Sequence, residues 1–509
     1  MTQIGGLTDP RVRAVCELNV ALAREGCGLH EYDGAVQDLS PDGVRRGLAA
    51  LGRGPVQADS HDEAHLRAFE EGARVALGEL ELHGANPLLH VSNLDLSCYD
   101  KEYAPVGERV AARWRHLAAW PDAVAGSIAS LDAVPAPIAR ATIGAARGLA
   151  AGLRAGRSAA EDTALAAHAR LVSHLEVATR HGDPSVALGA SALTRLLSTA
   201  EALEVDLQTL SRRADAERDR LRAMLEEACG RIAPGVPIER TVEVLLADHP
   251  DADGVIAEAQ ELTAEVISWT NERRLVPHND GECQVGRAPE TRRWAMAMMW
   301  CAAPYEADGV SWYHVTPPDP RWPAEEQKEW LSVFSRTKLA AITVHEVAPG
   351  HFSHGRALRH VSTDVRRALM SEAFIEGWAH YVEEVVLEEG FRAADPRFAA
   401  GVALEALVRT TRLACAIGLH TGEMTVEDAT RRFAEDAYLK GPAALSEARR
   451  GTFDPTYGRY TWGKFALLDL RERAKAAWGE DFTLLRLHTA MLDLGSPPLG
   501  LLDTAITRG

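Results

Sequence analysis

From about Asp9 to Gly156, apolar residues recur every three or four positions, the spacing that lines one face of an α-helix, and turn signals such as LSPDG and VPAPIAR separate the stretches. No period-two alternation competes with this pattern, so helices of ordinary length are expected there. Residues 157–230 are richest in Ala, Leu, Glu and Arg, all good helix formers, and LSTAEALEVDLQTLSRRADAERDRLRAMLEEACG closes on a glycine stop signal. A long antiparallel helix pair is the expectation. Residues 274–323 change character: they are rich in Pro, Gly and Trp, and the short VSWYHV at 310–315 reads as a strand. A small β element is therefore expected around 305–320. From Ala324 the helical pattern resumes almost to the C-terminus, with no internal repeat and no low-complexity tract.

The pattern predicts a mainly α fold. Residues 1–285 read as a helical scaffold and groove wall and 286–509 as the region carrying the chemistry, the two forming one continuous unit. Tryptophans 312, 322, 330, 378 and 462 read as core.

Composition narrows the function. With 46% apolar and 25% charged residues over 509 positions, the chain is ordinary for a folded protein and long enough to bury a large core. Acidic residues (73) outnumber basic ones (55), and the net charge of -18 repels nucleic acid and anionic membranes. The run RRADAERDRLR (212–222) is mixed in sign and reads as a solvated helix face. Seven cysteines, odd in number and without C-x-x-C spacing, argue against both a disulfide framework and a cysteine zinc site. The start MTQIGGLTDPRVRAVCELNV lacks a charged segment followed by an apolar one, and no apolar run approaches the roughly 18 residues that span a bilayer. A cytoplasmic protein with a small-molecule partner is expected, with its oligomeric state left open.

The chemistry concentrates in TVHEVAPGHFSHG, residues 343–355. H-E-x-x-H places two histidines one helical turn apart so that both reach one ion. Here the residue four after His345 is Pro349, and His351 stands six along, about 120° away on an unbroken helix. Proline cannot continue the hydrogen-bond ladder and glycine accepts unusual backbone angles, so APG is expected to interrupt the helix as a bulge that brings His351 back beside His345. In SEAFIEGWAHYVEEV, Glu376 follows His351 by 25 residues, room for a turn and a second packed helix, on which Glu376, His380 and Glu383 share a face. His345, His351 and Glu376 would then hold one Zn2+ per chain, or another divalent ion, with a position left for water. Glu346 would be the base that takes a proton from that water and returns it to the leaving amine.

HEVAPGHF followed by EAFIEGWAHYVEE resembles the bacterial family known as domain of unknown function 885, whose hallmark is H-E-x-x-P-G-H and then E-G-W-A-x-Y. The likeness extends through RTTRLACAIGLHTGEMTVEDA and YTWGKFALLDLRERAKAAWGEDFTLLRLHTAMLDLGSPPLGLL, about 200 C-terminal residues, with an echo in NLDLSCYDKEYAP (93–105). The family is regarded as zinc-peptidase-like, distantly similar to carboxypeptidase Taq-type metallopeptidases, which implies a large helical body with the metal in a deep groove. The resemblance makes His345, His351 and Glu376 the ligands, Glu346 the general base, and Tyr460 of YTWG a hydroxyl near the substrate oxyanion.

Some positions depart from the family. Members often have histidine where Phe352 stands and glutamine where His354 stands, so His354 reads as a donor behind the ligands or a pocket wall, with direct ligation the alternative. A common aspartate is replaced by Ala416. The P-G-Q-A approach to the tyrosine is here PTYGRY, one residue shorter, which makes Tyr457 a competitor for the oxyanion role. Arg412, Arg450 and His420 are candidates to bind a substrate carboxylate, against internal ion pairs with nearby glutamates.

The expected function is thus zinc-dependent hydrolysis of an amide bond in a small peptide or N-acyl amino acid. A tailoring enzyme acting on a specialised metabolite with the same metal, and a non-catalytic metal-stabilised scaffold, are the alternatives.

Overall fold

The computed structural model describes residues 6–289, 292–293, 295–306 and 309–509. Capping residues set many of the helix boundaries that matter for the site. Ser335 caps helix α6 (Arg336–Glu346) by accepting from the Lys338 amide, Ser371 caps α8 (Glu372–Glu388) at the Phe374 amide, and Asp395 with Pro396 opens α9 (Pro396–Thr421). Gly422, at φ 83°, ends α9 in the left-handed conformation that favours glycine.

The N-terminal half is helical from Pro10, as its pattern predicts. Helices α1 (Val106–Ser130), α2 (Ala136–Gly148) and α3 (Ala159–His181) pack together around Trp120, Leu171 and Leu175. The expected helix pair over 157–230 is not what forms. This stretch contains α3, a short helix Ala190–Ala200 and α4 (Leu207–Ile232), and α3 and α4 belong to different cores. Leu221 and Leu225 of α4 bury against Leu404 and Leu407 of α9, while Leu171 and Leu175 of α3 turn to α1 and α2. Period alone says that each segment is an amphipathic helix; it does not choose the partner.

The strand expected at 310–315 is β3 (Ser311–Val315), the centre of a three-stranded sheet of order β1-β3-β2. Strand β1 (Cys283–Arg287) pairs parallel to β3 and β2 (Ala297–Trp300) antiparallel, with Val285 and Met299 both opposite Tyr313. Two of the three strands thus lie ahead of the expected span, and positions 307 and 308 of that span lie outside the described residues.

Two large apolar clusters straddle position 285. One joins Leu193 and Leu210 to Phe374, Trp378, Leu413, Trp462 and Leu487. The other joins Val255 and Leu262 of helix α5 (Gly254–Arg273) to Tyr313, Val344, Phe352 and Val402. Among the described residues no helix is long and apolar enough to cross a membrane. Trp378 and Trp462 are buried and Trp312 and Trp330 half-buried, but Trp322 is exposed, its ring 5.3 Å from Trp330.

Candidate metal centre

The histidine segment lies where these two clusters meet. Helix α6 ends at Glu346, residues 347–350 turn, and α7 (His351–Leu358) begins at the second histidine. The interruption is therefore a full break between two helices rather than a bulge within one. It has the expected consequence: the His345 and His351 rings stand edge to face with centroids 4.7 Å apart. Gly350 is required by close approach, because a Cβ there would overlap the carbonyl oxygens of His345 and Val344. Trp378, fully buried, holds the turn from the other side by donating its indole N–H to the Pro349 carbonyl at 2.9 Å.

Glu376 is delivered by α8. This helix crosses α11 (Arg459–Trp478) at Gly377 and Gly463, where a Cβ on either glycine would meet the other helix's backbone. That contact lets the helices approach closely and sets Tyr460 beside Glu376. Glu376, Gly377 and Trp378 thus supply in turn a candidate donor, a close helix contact and a pin for the Pro-Gly turn.

The Oε2 of Glu376 is buried without a hydrogen-bond partner, 3.5 Å from His345 Nε2 and 3.4 Å from His351 Nε2. Two ligands bonded at about 2.0–2.1 Å to one tetrahedral ion lie roughly 3.3–3.4 Å apart, so the three atoms fit a shared divalent ion. The orphaned carboxylate oxygen points the same way, since a buried polar atom ordinarily has a partner. A second group, His278, Asp280 and His360, also brings its donor atoms together, but at a largely exposed place where Asp280 is paired with Arg356 and the two imidazoles stack at 3.7 Å.

Behind the donors, His345 Nδ1 donates to Glu383 Oε1 at 2.6 Å, which turns Nε2 toward Glu376. Glu383 Oε2 accepts from Arg409 at 3.0 Å. Burial opposes charge on Glu383, yet Arg409 and His345 hold its carboxyl well below the usual range. Burial and Arg409 oppose charge on His345 too, but its bonds to Glu376 and Glu383 outweigh them and raise it to about 9. A carboxylate that orients a ligating imidazole is the arrangement metal sites use to fix its tautomer. His380, on the same face, is buried with its Nδ1 3.6 Å from Glu383, and burial pushes it down to about 4, so it is neutral.

His354 is not brought to the donors. Its Nε2 bonds Ser496 Oγ at 2.9 Å, its ring lies against Phe374, and burial pushes it down to about 3. The Glu346 side chain is buried and makes no hydrogen bond among the described residues.

The facing wall carries the tyrosines. Tyr457 donates its hydroxyl to Glu447 at 2.6 Å and is fully buried, so it is committed. Tyr460 lies with its ring 6.4 Å from that of His345, and its hydroxyl has no partner among the described residues. Burial and the neighbouring Glu376 raise the Tyr460 pKa, which keeps the proton on as a donor. Ala416, where the family resemblance expects aspartate, packs against both tyrosines. The carboxylate on this wall is Glu447 of helix α10 (Gly441–Phe453), which takes Arg412 through two bonds of 2.8 and 2.9 Å. His420 sits elsewhere: it bonds the Gly451 carbonyl at 2.8 Å and lines a separate cavity of about 240 Å³ with Asn86, Ile138 and Phe453.

Sequence reasoning did not single out Arg409, Glu447 or the indole bond of Trp378. Arg409 had one signal: it directly follows the apolar ALV of a long helix.

Two solved structures share the fold. One is provisionally described as a lipoprotein of unknown function from Shewanella oneidensis, 19% identical with a TM-score of 0.78, covering 98% of each chain. The other is provisionally described as a lipoprotein from Colwellia psychrerythraea, 16% identical with a TM-score of 0.79, covering 98% of this chain and 97% of its own. Among curated proteins none matches. The family model described as "Bacterial protein of unknown function (DUF885)" matches residues 23–506, nearly the whole chain and far beyond the C-terminal stretch that carries the motifs, and the chain belongs to that family.

Proposed function

We propose that this chain is a divalent-metal-dependent hydrolase, with zinc the expected ion, that cleaves an amide bond in a small peptide or N-acyl amino acid. The observation that carries the reading is the convergence of His345, His351 and Glu376 on one point, with Glu376 Oε2 buried and otherwise without a partner. A divalent ion held by these residues supplies Lewis acidity, polarising a carbonyl and making water more acidic.

The chain's own groups then divide the work. Glu346, adjacent to a donor and free of other bonds, removes a proton from the attacking water. Water oxygen bonds the carbonyl carbon, and Tyr460 donates its hydroxyl to the oxygen on which charge develops. Glu346 passes the proton to the leaving nitrogen as the C–N bond breaks, giving a carboxylic acid and an amine. The rival reading, a metal-stabilised scaffold without activity, calls for a fourth protein ligand, and the candidate that the sequence offers, His354, is engaged with Ser496.

Seven free thiols favour a reducing compartment, while both solved neighbours are provisionally described as lipoproteins; cytoplasmic placement is part of this proposal, and cell fractionation tests it. For the chemistry, the test is Glu346→Gln. Turnover on a dipeptide and acyl-amide library should fall by about 10²–10⁴, the usual worth of a positioned acid–base group, with metal content unchanged by elemental analysis. Retained turnover removes the role given to Glu346.

A further inference from the structure

Of the three groups that could meet a substrate carboxylate, two are spent. Arg412 is held by Glu447 in a two-pronged ion pair, and His420 is bonded to the Gly451 carbonyl away from the donors. Arg450 differs. Its guanidinium carbon lies 4.6 Å over the ring of Tyr457, and no carboxylate of the described residues pairs with it.

The carboxylates nearby are already committed. Glu447, one turn earlier on the same helix, takes Arg412 and the Tyr457 hydroxyl. Asp454 takes both terminal nitrogens of Arg459 and the Thr456 hydroxyl. Arg450 is thus a half-buried cation with open donors, although removing charge from water without a partner is costly. Arg449, the next residue, simply faces solvent.

The position connects to the site through rings. Arg450 stacks on Tyr457, whose ring centroid is 6.4 Å from that of Tyr460, which in turn lies 6.4 Å from His345. Arg450 also bears electrostatically on the Tyr460 hydroxyl. A planar donor pair on the same side as Tyr460 suits a carboxylate, and the carboxylate a short peptide or N-acyl amino acid carries is on the residue that follows the cleaved bond.

We propose that Arg450 binds a free carboxylate of the substrate, which makes this an exo-acting site that releases a C-terminal residue or the amino-acid half of an N-acyl amino acid. The inference rests on the hydrolase reading above for its chemistry, though not for its binding.

The test compares dipeptides and N-acyl amino acids as free acids and as C-terminal amides. Wild-type protein should favour acids by about 10- to 100-fold in kcat/KM, expressed in KM, the range for a charge-assisted bond. Arg450→Met, which keeps a stem to cover Tyr457, should erase that preference; Arg450→Lys should keep part of it. Turnover without acid preference, or a preference untouched by Arg450→Met, overturns the anchor and leaves the hydrolase reading standing. A second arm needs no turnover: the same compounds are titrated calorimetrically into Glu346→Gln protein with and without Arg450→Met. Acid-selective binding lost with Arg450 supports the anchor even if nothing is hydrolysed. Equal binding of both forms, or binding of neither, overturns it.

Discussion

The metal wall and the tyrosine wall of the site treat their polar groups differently. Behind the donors, Arg409, Glu383 and His345 form a relay in which each buried charge is met by the next, while Glu376 Oε2 faces the shared point without a hydrogen-bond partner. On the opposite wall the same kinds of residue come in unlike pairs. Among the described residues, Tyr457 is bonded to Glu447 while Tyr460, three residues on, has no hydrogen-bond partner for its hydroxyl, and Arg412 is bonded to Glu447 while Arg450 is paired with no carboxylate. Since buried polar groups are ordinarily paired, a free member beside a paired near-twin is the better pointer to where a ligand belongs. On the proposed reading, the paired member builds the wall and the free one faces the substrate.

The largest test of this contrast is on the metal wall. His351→Ala and Glu376→Gln should each lower metal content from about one ion per chain to a small fraction of that, because a three-donor site does not survive the loss of a donor. His354→Ala should keep its metal and lose about 1 kcal/mol of stability or somewhat more, the worth of its bond to Ser496 and its packing. Elemental analysis of the three purified variants decides. Metal lost only from the His354 variant would mean that the donors are misassigned.

Next in size is the split between the tyrosines. Tyr460→Phe should lower kcat by about 10²-fold or more if its hydroxyl meets developing charge, with KM little changed. Tyr457→Phe should leave kcat within about threefold while costing about 1–3 kcal/mol of stability, because it strips a buried carboxylate of a donor. Equal effects on kcat would erase the difference between bonded and free members.

What the sequence made legible follows the same division. The meeting of His345, His351 and Glu376 is readable because a metal set must be close in space and these residues come in two short motifs on successive helices. The Pro-Gly break is readable too, since a helix cannot pass Pro349 undisturbed, although the outcome is a full stop rather than a bulge. The relay is not readable: Arg409 and Glu383 are 26 residues apart on different helices, and their meeting depends on packing. The fold divides likewise. Periodicity gives the helices, but which core each joins, as with α3 and α4, depends on distant residues, and CQVGR and AMMW are too short and too little alternating to announce strands.

The tyrosine wall also makes a prediction about pH. Although burial opposes its charge, Arg412 and the Tyr457 hydroxyl hold the Glu447 carboxyl down at about 2, against 4.5 for an ordinary glutamate. A carboxyl lowered on folding contributes stability that is present above about pH 4.5 and is lost as pH falls toward 2. The full effect is about 3 kcal/mol. Urea unfolding of Glu447→Gln beside wild type should therefore show a gap that narrows by most of that amount between pH 6 and pH 2.5. A gap independent of pH would show that Glu447 is not the charge partner on which the wall is built.

The smallest effect expected tests whether the metal wall needs its relay at all. Glu383→Gln keeps the size of the side chain and an oxygen that can accept from His345 Nδ1, but it removes the charge between His345 and Arg409. Metal affinity should weaken by about 10- to 100-fold, the usual cost of losing a carboxylate behind a ligating histidine, with the donors still in place. Part of the accompanying destabilisation comes from Arg409, left buried with, among the described residues, the more distant Glu405 at 3.6 Å as its one remaining carboxylate. Adding Arg409→Met should therefore recover stability without recovering metal affinity, which separates orienting the imidazole from merely neutralising a buried cation. If the double variant binds metal as wild type does, the relay serves only the core. The contrast between a tied metal wall and a partly free substrate wall would then lose its functional meaning.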